Sequence, residues 1–147
     1  MTKEVLITIS GLQAQPGDEK PEPVETIVFG QYYYKNGKHY VLYEEQNEHG
    51  EEPDKNRVKF CENFLELNRT GMTTTHLLFE KDKKNVSYYR TPYGSLEIGV
   101  DARWVRIEEK EELILAKVEY GMELNSQHVA DCSLQLMVQP KGSRVTL

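Results

Sequence analysis

The chain has 147 residues, with 18 Lys and Arg against 24 Asp and Glu and a formal charge of −6. That length suits a single domain, 1–147, able to bury a core without disulfide or metal staples. The charge disfavours nucleic acid, whose phosphates a binder must neutralise, and docking on anionic lipid. Tyrosine is the unusual residue, at 9 against 4 Phe and 1 Trp.

Residues 1–11, MTKEVLITISG, alternate apolar with polar side chains. No unbroken apolar run occurs there, so neither a signal peptide nor a membrane anchor is expected, and the protein reads as cytoplasmic. Cys61 and Cys132 lie far apart and read as reduced thiols in that compartment. Val5, Ile7 and Ile9 recur with period two, which predicts a strand. Residues 14–25 are rich in Pro, Gly and acid and read as a loop. Residues 26–35 form the next strand, Asn36-Gly37 follows, and 39–45 resumes a β-rich run. Asn-Gly between two such runs predicts a tight hairpin, because both central residues of a type I′ turn need positive φ.

Residues 44–57 carry six acids and two bases and read as a solvated loop rather than an acidic site. That stretch supplies −4 of the −6, which leaves the body nearly balanced, with a basic face conceivable around Lys81, Lys83 and Lys84. Residues 58–60 and 64–69 are strand pieces about a turn at Glu62-Asn63, closed by Thr70-Gly71. Strands follow at 73–80, 86–91, 95–100 and 103–108, interrupted by the charged 81–85 and by Pro92-Tyr93-Gly94. Residues 108–117 have helix propensity, yet 118–124 continue with period two. Two long strands, 113–124 and 129–139, flank 125–128. Regular short strands without a convincing helix predict an all-β fold. The expected architecture is one closed or nearly closed antiparallel β-barrel of about 8–10 strands, since closure removes exposed edges.

No metal-ligand spacing links His39, His49, His76 and His128, and no nucleophile-elbow, phosphate-loop, dinucleotide or zinc-protease motif occurs. No catalytic residue, metal or cofactor is therefore assigned. Cys61 reads as a structural thiol. Tyr32-Tyr33-Tyr34 and Tyr88-Tyr89 place rings on both faces of their strands. These rings serve either as cross-strand packing or as phenols lining a cavity. Arg69 shares parity with Leu65 and Leu67, and Arg90 with Tyr88. An inward guanidinium needs a partner, either a carboxylate such as Glu97 or Glu119 or an anionic ligand.

The order of motifs is recognisable: VLITISG, FGQYYYKNGKHYVLYEE, LNRTG, HLLFE, SYYRTPYGSLEIGV and VEYGMELNSQHVADCSLQLMV. Over nearly the whole chain it resembles a bacterial family of uncharacterised β-barrel proteins of lipocalin-like, or calycin-like, type. The resemblance implies a barrel and a cytoplasmic bacterial protein, and it implies no reaction.

The expected function is a non-catalytic binding module for a small, anionic or amphipathic ligand held in the barrel. Its candidate ligand-binding residues are Arg69, Tyr88, Arg90, Tyr93, Tyr32 and Tyr34. The alternative is a protein-interaction or homo-oligomeric barrel with a filled interior, presenting Tyr33 or Trp104. An enzyme would need a convergent set such as Glu97, Arg90 and Tyr93. No nucleic-acid or membrane partner is expected.

Overall fold

The computed structural model describes residues 3–14, 24–47 and 52–142. Of the loop expected at 14–25, residue 14 ends the first strand and 24–25 begin the second, while 15–23, like His49 with its acidic neighbours 48–51, lie outside the described residues. Ten strands are present: β1 (Glu4–Ala14), β2 (Val24–Lys35), β3 (Lys38–Glu45), β4 (Asp54–Cys61) and β5 (Phe64–Thr70). β6 (Thr75–Glu80), β7 (Lys83–Thr91), β8 (Gly94–Lys110), β9 (Leu113–Leu124) and β10 (Gln127–Pro140) complete the set.

The strands form one antiparallel sheet in the order β6-β5-β4-β3-β2-β1-β10-β9-β8-β7. It consists of two meanders, β1–β6 and β7–β10, joined by a long β1–β10 ladder running from Val5↔Pro140 to Ala14↔Asp131. The outer strands β6 and β7 meet at one bridge: Thr74 N donates to Arg90 O at 2.9 Å, and Arg90 N to Thr74 O at 2.8 Å. The barrel is thus nearly closed.

Turn chemistry sets the register. Asn36 and Gly37 both have positive φ, 53° and 77°, as the hairpin signal requires. Asn125 and Ser126 repeat that geometry between β9 and β10, at 49° and 71°.

The acidic stretch hides part of a strand. Asp54 to Arg57 belong to β4, paired with β3 and β5. Inward Asp54 and Asn56 are buried while Lys55 and Arg57 face water, so the alternation is present but written in polar residues. The two strands expected at 95–100 and 103–108 are one, β8, carrying a bulge between Ala102 and Trp104. Inward residues are Val100 and Ala102 before the bulge and Val105 after it, so the buried parity switches. A bulge does this by inserting one unpaired residue. Here Arg103 turns outward to pair with Glu119 and Asp131. The helix-prone 108–117 is the end of β8, a turn and the start of β9, because ladder pairing outweighs propensity.

The core runs in layers across β3–β6. His39, Phe60, Leu65 and Phe79 form one register row, Val41, Val58, Leu67 and Leu77 the next. Among the described residues, a hollow of about 10 Å³ lies between Ile9, Tyr43, Val58, Leu65, Leu67 and Leu136, too apolar and too small for a ligand. Side chains fill the space where a ligand was expected. Tyrosine serves both faces: Tyr33 stacks on Tyr40 outside at 4.6 Å, and Tyr120 tilts against Phe79 inside at 4.7 Å.

Gly30 lies where β1, β2 and β3 approach most closely; a Cβ there would run into the Leu42 carbonyl and Ile7. Gly30→Ala is expected to lower unfolding stability by about 1–3 kcal/mol in urea titration. Gly11→Ala, whose Cβ meets nothing nearer than 3.8 Å, should stay within about 0.5 kcal/mol.

Burial pushes the Tyr43 phenol well above its ordinary range, with Glu45 adding to the rise and Arg69 opposing it. Tyr120 is raised likewise by burial and then by Cys132. A phenol held protonated in the fold stabilises it fully below the unfolded value of about 10. That contribution is lost as pH rises further. Alkaline titration should therefore show part of the phenolate absorbance appearing only as near-UV circular dichroism collapses. Tyr43→Phe should shrink that late fraction.

Candidate functional site

Polar residues concentrate at the two ends of the barrel. At one end the next inward row after the apolar layers is Tyr43, Asn56, Arg69 and Thr75. Glu45 and Asp54 pair one step further out. Strand alternation therefore brings residues distant in sequence onto one rim.

Arg69 is the hub of this rim. Its Nη2 lies 2.9 Å from Glu45 Oε1, and its Nε donates to Asn56 Oδ1 at 3.1 Å. Asn56 Nδ2 donates to the same Glu45 oxygen at 3.5 Å. The Arg69–Glu45 pair is part-exposed, so its net contribution is only about 1 kcal/mol. Its main effect is orientation. The partner is Glu45 rather than Glu97 or Glu119.

Asp54 is 6% exposed, and its Oδ1 accepts the Met72 backbone N–H at 2.7 Å. Gly71 has φ of 149°, and a Cβ there would overlap the Asp54 carboxylate, so only glycine lets the chain pass. Thr91 Oγ1 accepts from Tyr93 N and donates to Gly94 O, both at 3.1 Å, which shapes the β7–β8 turn. The turn holds the Tyr93 ring out at 94% exposure.

Together these segments enclose a cleft of about 330 Å³, lined by Glu45, Asp54, Arg69, Met72, Thr73 and Tyr93 among others. It adjoins a hollow of about 550 Å³ that includes Lys55 and Gly71 and shares Met72. The hydroxyls of Thr73 and Thr75 are buried without a hydrogen-bond partner, a state native proteins seldom leave unexplained.

The other end is sealed. Buried His39 takes Tyr32 Oη at 2.7 Å on Nδ1 and the Glu109 carboxylate on Nε2. Its ring stacks on Phe60 at 4.9 Å, with Tyr34 tilted beside it at 5.0 Å. Both ring nitrogens are thus engaged, one by a phenol and one by a carboxylate. Burial, then Glu109, then Tyr34 raise the Tyr32 phenol above its usual range. Glu109 lies on β8, five places from β3 in the ten-strand order. The contact is therefore a strut across the barrel.

The six candidate residues thus divide among three places. Arg69 and Tyr93 line the cleft, Tyr32 and Tyr34 cap the opposite end, and Tyr88 and Arg90 stand exposed on the outer face of β7. Among the described residues no side-chain hydrogen bond or ion pair joins Glu97, Arg90 and Tyr93. Sequence reasoning missed Asp54 because it read as solvated loop, Glu45 because the strand 39–45 and the loop 44–57 overlapped on it, and Thr73 because it read as an ordinary strand residue. It left the facing of His39 open. The available signal was the alternation through 54–57 against 41–45.

The molecule is a nearly closed, ten-stranded antiparallel β-barrel with a filled interior and one open polar end. The family model described as "Domain of unknown function (DUF1934)" matches residues 7–136, and the chain belongs to that family. It is 26% identical over 131 residues to the "Uncharacterized beta-barrel protein YwiB" of Bacillus subtilis (strain 168), covering 89% of this chain and 87% of that one. The crystal structure of the ywiB protein from Bacillus subtilis matches with a TM-score of 0.67 at 22% identity. That match covers 92% of this chain and 93% of the other, and it shows the shared fold. The resemblance read from the motifs, and the all-β barrel, are borne out.

Tyr32→Phe leaves a nitrogen of buried His39 without its partner. It should lower stability by about 1–3 kcal/mol in urea. Tyr34→Phe, at 61% exposure, should change it by no more than about 0.5 kcal/mol.

Proposed function

We propose that the protein is a non-catalytic, cytoplasmic binding module that holds one small amphipathic molecule in the cleft at its open end. The supporting observation is the contrast between two spaces: about 10 Å³ inside the barrel and about 330 Å³ at the rim. The second is at the lower end of the range for small-molecule sites. It joins charged groups to an apolar lip of Met72, Pro92 and Tyr93. A calycin-like kinship would put the ligand inside; the filled core moves it to the mouth. Rigid strands carrying variable connections suit that arrangement. Of the residues first selected, Arg69 and Tyr93 belong to this reading.

Native mass spectrometry of protein purified from its own host tests it. A bound species of small-molecule mass is expected, absent from Tyr93→Ala and Asp54→Asn. Wild-type protein carrying nothing, or a species that both variants retain, would sink the proposal.

The homo-oligomeric reading has its own support. Ile27, Phe29 and Tyr33 share the outer parity of β2, and Phe29 is 66% exposed. Apolar rings on an outer face suit a self-contact. Light scattering over a concentration series would show a dimer that Phe29→Glu abolishes; a monomer throughout would remove this reading.

A further inference from the structure

We infer that the molecule the cleft takes is an amphipathic cation, an amine or guanidine on an aromatic or aliphatic body. This rests on the cleft being a binding site and adds the sign of its ligand.

The first observation is which charges remain available. Arg69 already directs Nη2 to Glu45 and Nε to Asn56. An anion arriving there would find only the remaining guanidinium donors and would sit beside the Glu45 carboxylate that already neutralises Arg69. Asp54 is the reverse case. It is buried, its Oδ1 takes one backbone N–H, and no ion pair engages it among the described residues. A buried carboxylate without a counter-charge is costly, and an incoming cation relieves that cost. With Glu45 and Asp54 against Arg69, the lining carries one net negative charge.

The second observation is independent of charge. Thr75 is 8% exposed, its hydroxyl has no partner, and it pairs in register with Arg69, which lines the cleft. Thr73, in the lining itself, is also unpartnered. Hydroxyls accept from an ammonium or guanidinium as readily as they donate.

The third is the lip. The Tyr93 ring stands almost wholly in water, with Met72 and Pro92 beside it. An exposed phenol face attracts a cation and covers an apolar body. Acid floor, hydroxyl wall and aromatic lip together describe an arylalkylamine better than any carboxylate.

Three probes of one body and different charge provide the test: phenethylamine, 2-phenylethanol and 3-phenylpropanoate. Amide chemical shifts of Met72, Thr73 and Tyr93 report binding. Phenethylamine should move them saturably, the alcohol more weakly and the carboxylate least. Asp54→Asn keeps an oxygen for the Met72 amide and removes the charge. It should weaken phenethylamine at least about tenfold. If the carboxylate binds as tightly as the amine, the cation assignment is overturned while the cleft stands as a site. If none of the three moves those amides, the cleft reading fails with it. The wild-type series decides this even where a variant folds poorly.

Discussion

The rest of the structure depends on how a ten-stranded sheet meets itself. Strands β6 and β7 are the two ends of that sheet, and between them runs one backbone bridge, at Thr74 and Arg90. Other groups hold the seam. Asn85 Nδ2 reaches across to the Leu78 carbonyl at 2.9 Å, and Asp82 N donates to Ala102 O at 2.9 Å. The seam is also a hairpin, so its strands stay close by covalent connection. Closure in this form obliges every inward side chain to share one narrow interior. Phe60, Phe79, Ile7 and Leu65 saturate it. A core packed like a crystal leaves no room for a guest.

What remains for chemistry is at the ends, and the two ends differ in kind. At one, a histidine between a phenol and a carboxylate joins opposite walls, with both of its ring nitrogens engaged by the protein. At the other, an arginine joins neighbouring strands, and buried hydroxyls without a hydrogen-bond partner and a buried carboxylate without an ion pair lie close to it. The first arrangement restrains the barrel. The second has unspent hydrogen-bonding capacity, and the adjacent β5–β6 and β7–β8 connections give it walls.

Much of the fold was legible because period two and turn chemistry are local. Asn36-Gly37 announced its hairpin, and the apolar alternation of β1, β3 and β9 announced theirs. Where the sequence misled, a physical cause is visible. Asp54 and Asn56 are buried by virtue of partners on β3 and β5, which composition does not reveal. The Arg103 bulge reverses parity within β8, so one strand reads as two. The site was less legible. Arg69 was recognisable as a charge that needs a partner if it faces inward, but Glu45 was shared between the end of a strand and a solvated loop and was not offered as that partner. Tyr88 and Arg90 share a parity with each other yet face water, because β7 lies at the sheet's end and its outer side has no covering layer.

The β1–β10 ladder has a consequence for synthesis. Strand β1 is made well before β10, yet it pairs with β2 on one side and with β10 on the other. Its open edge must wait for Gln127–Pro140 before the ring can shut. Until then the growing sheet has a sticky margin, vulnerable to pairing with a neighbour. The slow step of maturation should be the meeting of β1 with β10, a long-range closure that no early hairpin can hasten.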